Sequence, residues 1–202
     1  MAKAEDPEAE SIRAPAQAGG GAAQDRPYAG TAARLRRPER LVWLEIDRVV
    51  PLCLEGLDVA TVLDVGTGGG LFAEAFAARG LTVAGCDVNE ELLEAARAAV
   101  PQAAFLACTA EELPYDDSSF DLVFLGGVLH EIHDVDRSLV QARRVARARV
   151  AVEEWPYRED PHAPPLGHQL PPERVEEAAH RAGFRKVERL ELKYMVLYRL
   201  DV

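Results

Sequence analysis

Two carboxylates frame the most glycine-rich turn of this chain. Asp64 ends the apolar run that starts at Thr61, and Gly66, Thr67, Gly68, Gly69 and Gly70 follow it directly. Asp87 ends a second apolar run, Leu81–Cys86, about twenty residues beyond Gly66. Glycine lets the backbone take positive φ and lets a ligand approach the main chain closely. Such a turn can hold a dinucleotide, a nucleotide or a nucleoside, and by itself it does not say which. In doubly wound folds a carboxylate at the distance of Asp87 binds ribose hydroxyls. It suits them because it can accept two hydrogen bonds at once. The alternative duty for Asp87 is to cap the next helix. A second group of titratable residues follows the run Phe120–Leu125, at the end where open α/β sheets bind ligands: His130 and Glu131 are candidates for a base or for substrate binding. Glu154 and Trp155 leave a later strand on the same side. His133 and Asp134 are suited to capping the next helix, and His162 reads as plain loop. The spacing of these histidines and acids matches no metal-ligand pattern, so no metal is expected.

The elements that position these residues are legible from periodicity. Val62 and Leu63 read as a buried strand. Leu71, Phe72, Ala75 and Phe76 recur at helical spacing, and Gly80 closes that helix. The helix start offers free N–H groups to the glycine turn. Residues 81–87 form a second strand, Asn89–Val100 a helix stopped by Pro101, and Ala103–Ala107 a short strand. A loop through Tyr115 and a turn at Asp116–Ser119 lead to the strand Phe120–Leu125. Asp134 or Asp136 caps a helix running to about Arg147. Ala148–Val152 is the fifth strand, Arg158–Pro172 a proline-rich loop, and Pro172–Ala182 a helix ending at Gly183. Arg185–Leu192 and Tyr194–Leu200 are the last strands, with a turn at Lys193. Alternating strands and helices give a doubly wound, mainly parallel α/β sheet to which the closing pair adds an antiparallel strand. Ahead of it, residues 31–50 read as one helix begun near Pro38 and ended by Pro51, within a segment 28–57 that packs on the sheet or closes over a substrate. Residues 1–27, rich in Ala, Glu, Gly and Pro, cannot bury enough surface to offset their ordering entropy and are read as a disordered tail before a domain at 28–202.

The chain has 202 residues, 48% of them apolar, enough for one domain with a full core. Its formal charge of −11 and lack of a long basic run argue against nucleic acid or anionic membrane as partners. The cluster Arg34–Arg37 is too short to reverse that. Three cysteines without metal-like spacing, and no signal peptide, lead us to expect a reducing, cytoplasmic setting. No apolar run is long enough to span a bilayer. A monomer or homodimer is expected.

Four stretches in this order, VLDVGTGGG, AGCDVN, TAEELPYDDSSFDLVFLGGVLHEIHD and the strand ending in EEW, resemble the class I S-adenosylmethionine-dependent methyltransferases. The third stretch, and PPLGHQL followed by PPERVEEAAHRAGF, are similar to the small-molecule branch that includes quinone-biosynthesis C-methyltransferases. The resemblance covers about Thr61–Val202. It implies a Rossmann-like, seven-stranded sheet with an antiparallel last strand, and S-adenosyl-L-methionine as cofactor. It places Asp64, Gly66, Thr67, Gly68 and Gly70 at the methionine end, Asp87 on the ribose, and Val88, Ala110 and Glu111 by the adenine. Gly126 and Leu129 would lie beneath the sulfonium. Thr109 stands where many relatives have an acid for the adenine amino group. His168 resembles a position facing the active site.

Methyl transfer is an in-line displacement whose main demand on a protein is alignment, worth roughly 7–11 kcal/mol in favourable systems. A base, drawn from His130, Glu131 or His168, is needed only if the acceptor arrives protonated. The expected activity is therefore methylation of a small molecule. The alternatives are an NAD(P)-dependent oxidoreductase and a non-catalytic S-adenosylmethionine-binding protein. Against the oxidoreductase, Leu71 stands where the dinucleotide fingerprint needs Gly or Ala, and Asp64 would repel a pyrophosphate.

Overall fold

The computed structural model describes residues 31–202, so the expected tail at 1–27 lies outside the described residues. Seven strands form one sheet: β1 (Thr61–Val65), β2 (Thr82–Asp87), β3 (Ala104–Ala107), β4 (Phe120–Gly126), β5 (Ala146–Glu154), β6 (Lys186–Glu191) and β7 (Val196–Asp201). Their order is β3-β2-β1-β4-β5-β7-β6. All neighbours from β3 to β5 pair in parallel, whereas β7 runs antiparallel to both β5 and β6. The order reverses between β1 and β4, which puts a crevice above the carboxyl ends of those two strands. Both are buried along their length because helices cover both faces, which explains their continuous apolar runs.

On one face Val49, Phe72, Phe76 and Phe124 form a cluster. The first comes from α3 (Ile46–Leu54), the next two from α4 (Leu71–Ala77). On the other, α6 (Val135–Val145) and α7 (Pro172–Arg181) bury Leu139, Val145, Val175 and Ala179. Between them in sequence, α5 (Glu90–Ala99) lies along β2 and β3. At the opposite, amino ends of β1 and β4, Asp121 ties β4 to β1: its Oδ2 accepts from the N–H groups of Ala60 and Thr61, each at 3.0 Å. Arg144 donates to the carbonyls of Leu113 and Tyr115, both at 2.7 Å, and so fixes the loop that leads into β4.

The structure departs from the sequence reading in three places. The helix expected over 31–50 is three pieces: α1 (Ala32–Leu35), α2 (Pro38–Trp43) and α3. Pro38 forces Arg37 into extended backbone (φ −64°, ψ 141°), and Glu45 takes the left-handed region at φ 43°. The carboxylate of Glu45 is held there by the N–H of Tyr194 at 2.8 Å. Pro51 lies inside α3 rather than ending it; its missing N–H removes the bond to the carbonyl of Asp47, one turn back. Strand β5 is longer at both ends than the expected 148–152: Ala146 pairs with Phe120 of β4, Glu153 with Gly126, and Glu154 with Val196 of β7. Arg149 donates to Asp201 Oδ1 at 2.7 Å and to the Cys53 carbonyl at 3.1 Å. The last turn spans Leu192–Met195, closed by a 3.0 Å backbone bond, rather than Lys193 alone.

Candidate active site

The glycine turn after β1 is shaped from beneath by Asp64. This side chain is 2% exposed, and its Oδ2 accepts from the Thr67 hydroxyl at 2.7 Å and the Ala73 N–H at 3.1 Å. Burial is the main cause that pushes its pKa up to about 7, against those two hydrogen bonds. Gly66 and Gly68 both have positive φ, +68° and +52°, and their missing side chains matter. A Cβ on Gly66 would meet Val128 Cγ2 at 2.5 Å, and one on Gly68 would meet Leu35 at 2.9 Å.

Asp87 stands at the end of β2 and uses one oxygen for each of two backbone bonds. Oδ2 accepts from the Gly68 N–H and Oδ1 from the Asn89 N–H, both at 2.9 Å. Each oxygen keeps a further lone pair for a ligand. The helix cap is supplied by Asn89, whose side chain accepts from Glu91 and Leu92, so Asp87 does not carry that duty. Burial raises the pKa of Asp87, while the backbone bonds oppose the rise.

These residues line one cleft. Asp64, Gly66, Thr67, Gly68, Asp87, Val88, Ala110, Glu111 and Gly126 are all on its wall, together with Glu131. Three residues of the expected set stand off it. Gly70 starts α4 at φ +78° with its α-carbon turned against Ala96, Leu129 is fully buried in the core, and Thr109 is half-buried beside Cys108, which does line the cleft. The cleft's roof is the N-terminal segment: Leu35, Arg40 and Leu44 complete the lining. Arg36 pins this roof by donating to the Gly69 carbonyl at 2.9 Å and pairing with Glu74.

A second cleft adjoins the first. Arg40, Gly127 and Glu131 line both. Its floor carries His130, which is held by Glu154 in three ways. Glu154 Oε1 accepts from the His130 backbone N–H at 3.0 Å, and Nδ1 lies 3.1 and 2.9 Å from Oε1 and Oε2. A carboxylate can only accept, so Nδ1 carries the proton and Nε2 is left as the acceptor. Burial lowers the His130 pKa, but the charge and hydrogen bond of Glu154, with Glu131 adding, leave it raised overall. Glu131 Oε1 is 3.8 Å from Nε2, and burial raises its own pKa. The wall opposite α2 is the proline-rich loop, where His162 stacks on Trp43 with ring centroids 4.3 Å apart.

His168 lines neither cleft. It is exposed at the end of a 3-10 turn, and its neighbour Gln169 is turned inward instead, bridging Arg158 and Pro164 through 2.8–3.0 Å bonds. Arg40, Trp43, Gly127 and Val128 carry no sequence motif of their own, although Arg37, Arg40 and Trp43 recur at the three-residue spacing of one helical face.

Residues 63–151 match a family described as a methyltransferase domain. An uncharacterized methyltransferase of Mycobacterium tuberculosis is 41% identical over 86 residues, 43% of this chain and 35% of that protein. The demethylmenaquinone methyltransferase of Chlorobaculum tepidum is 36% identical over 95 residues, 46% of this chain and 39% of its own length. The chain thus spans less than half the length of these curated relatives. Among solved structures, a SAM-dependent methyltransferase from Aquifex aeolicus superposes with a TM-score of 0.75 at 25% identity, covering 85% of this chain and 96% of its own.

Proposed function

We propose that this chain, whose residues 63–151 form a class I S-adenosylmethionine-dependent methyltransferase domain, transfers a methyl group to a small-molecule acceptor by in-line displacement. One observation carries the reading: two clefts meet at Gly127, Glu131 and Arg40, so a donor in the first faces an acceptor in the second. S-adenosylmethionine, when bound, supplies a methyl group already activated by a positive sulfur.

The residues of the first cleft fit that cofactor. Asp87 presents two acceptor oxygens to a ribose diol. The glycine turn leaves space that any Cβ would fill. Asp64 offers a carboxylate to an ammonium group, and the same charge opposes a pyrophosphate. Val88 and Ala110 give apolar walls for an adenine ring. Glu111 is held in place, its Oε1 accepting from the Asp134 N–H at 3.2 Å. In the second cleft His130 is the catalytic base for an acceptor that arrives protonated, taking the proton at Nε2. Glu154 is a positioning residue that fixes the tautomer and raises the basicity of the ring. Alignment rather than covalent chemistry is what the protein supplies, so no metal is called on.

The acceptor is a diffusible molecule rather than a nucleic acid, in keeping with the charge of −11. Among the described residues no helix is long and apolar enough to cross a membrane. Three free thiols, Cys53, Cys86 and Cys108, accord with a cytoplasmic setting. Calorimetry with S-adenosylhomocysteine and NAD tests the cofactor, and labelled-methyl turnover on a metabolite extract tests catalysis. Binding of NAD in preference to S-adenosylhomocysteine would refute the reading, as would cofactor binding without any labelled product.

A further inference from the structure

We propose that the second cleft selects acceptors in which a planar ring carries an anionic group, a carboxylate or a phosphate; this rests on the methyl-transfer reading above. The cleft has an unusual wall for so acidic a chain. Arg34, Arg37 and Arg40 line it on one side, against only Glu39 and Glu131 among its acids.

The arginines of this segment divide by duty. Arg36 points to the glycine turn and is consumed there by Glu74 and the Gly69 carbonyl. Arg37 and Arg40 make no side-chain hydrogen bond and no ion pair within 4.0 Å among the described residues. Two carboxyls that feel the charge of Arg40 are Glu131 and Glu153. Glu153 is fully buried, and neither of its oxygens has a hydrogen-bond partner. A carboxyl in that position remains protonated, since a bare buried charge costs far more than a proton, and so does not neutralise Arg40. A guanidinium at a cleft wall without a partner is a ready fork for carboxylate or phosphate oxygens.

The rest of the cleft supplies the planar half of the ligand. Trp43 already stacks on His162 at an interplanar angle of 25°, and Trp155 with Pro164 and Pro165 adds apolar surface. Such faces hold a ring well. At the inner end, Gly127 has φ +60° and nothing within 4 Å of where a Cβ would be, so the passage toward the first cleft is kept clear. An anionic acceptor is also the natural counterpart of a cationic methyl donor next door.

Both tryptophans of the chain line this cleft, so intrinsic fluorescence reports its occupancy. The full chain is titrated with benzoate, phenyl phosphate, benzamide and benzylamine, with and without S-adenosylhomocysteine. One or both anions should bind at least about tenfold more tightly than benzamide, and benzylamine most weakly. The two anionic arms show which group is preferred. Arg40→Gln should cost the preferred anion about tenfold and leave benzamide unchanged; Arg37→Gln should act in the same direction, with S-adenosylhomocysteine affinity kept. Equal binding of benzamide and the anions, or anion binding untouched in the Arg37→Gln, Arg40→Gln double variant, would overturn the inference while leaving methyl transfer standing. Failure of the native chain to bind S-adenosylhomocysteine would overturn both.

Discussion

Asp64 should make the empty protein pay in stability for its ligand site, and Asp64→Asn should reverse that. The carboxylate is buried and its pKa is pushed from 3.8 to about 7. The folded chain therefore holds a proton that the unfolded chain has lost over that interval. The stability linked to this proton is complete below the unfolded pKa and falls as pH rises, until it is gone above about 7. At roughly 1.4 kcal/mol per unit, the ceiling of the loss is about 4 kcal/mol. Asparagine keeps an oxygen for the Thr67 hydroxyl and the Ala73 N–H but has no charge to bury. The variant should thus match the native chain near pH 4. It should exceed it progressively up to neutral pH, and lead by about 2–4 kcal/mol at pH 8, or several degrees in Tm. Urea denaturation of both proteins at four pH values measures the difference. Saturating S-adenosylhomocysteine should reverse the ranking, because its ammonium pairs with the native carboxylate only. A difference that is flat in pH, or a variant less stable than the native chain at pH 8, would refute the burial argument.

Other residues give sharper, smaller tests. Asp87→Asn should weaken S-adenosylhomocysteine binding by about 1.5–3 kcal/mol, the range for a hydrogen bond to a charged group; calorimetry that shows unchanged affinity would remove the ribose assignment. Gly127→Ala places a methyl group in the passage between the clefts at φ +60°. Labelled-methyl turnover should drop severalfold or more while S-adenosylhomocysteine affinity stays near native, and equal losses in both would contradict a purely obstructive effect. Glu154→Gln removes the charge that raises the His130 pKa. The acid limb of the pH–rate profile should move to lower pH with a reduced plateau; an unmoved limb would show that His130 is not the base.

Much of the architecture was readable because its signals are local. β1 and β4 are continuous apolar runs, the glycine turn sits between a strand and a helix, and the acid at Asp87 marks the end of β2. The errors arose where distant residues overrode a local pattern. Charged positions hide the length of β5: Arg147 at one end and Glu153 and Glu154 at the other interrupt the apolar run, yet all three lie in the strand. The left-handed turn at Glu45 depends on a bond from Tyr194, far away in sequence. Pro51 signals a stop locally, yet it lies inside α3, whose face bearing Val49, Val50 and Cys53 is buried against the sheet.

The two clefts differ in legibility for the same reason. The first is built largely from residues within a few positions of strand ends, so a one-dimensional pattern of glycines and carboxylates marks it. The second joins residues 34–43 to residues 155–165, across a separation of more than half the chain. Neither half is informative alone: the short arginine cluster does not reverse the acidic charge of the chain, and the proline-rich stretch reads as a loop. The stacking of Trp43 on His162 brings the two halves together. This division has a functional logic. A cofactor common to many enzymes can be held by one compact motif, whereas a site for a particular acceptor needs surfaces that vary independently of that motif. Changing Arg37 or Trp43, which line the second cleft and not the first, should therefore alter which molecule is methylated before it alters cofactor affinity. Competition of acceptor probes against the native chain and a Trp43→Leu variant, each saturated with S-adenosylhomocysteine, checks this: ring-bearing probes should weaken about tenfold and the cofactor product should stay bound as tightly.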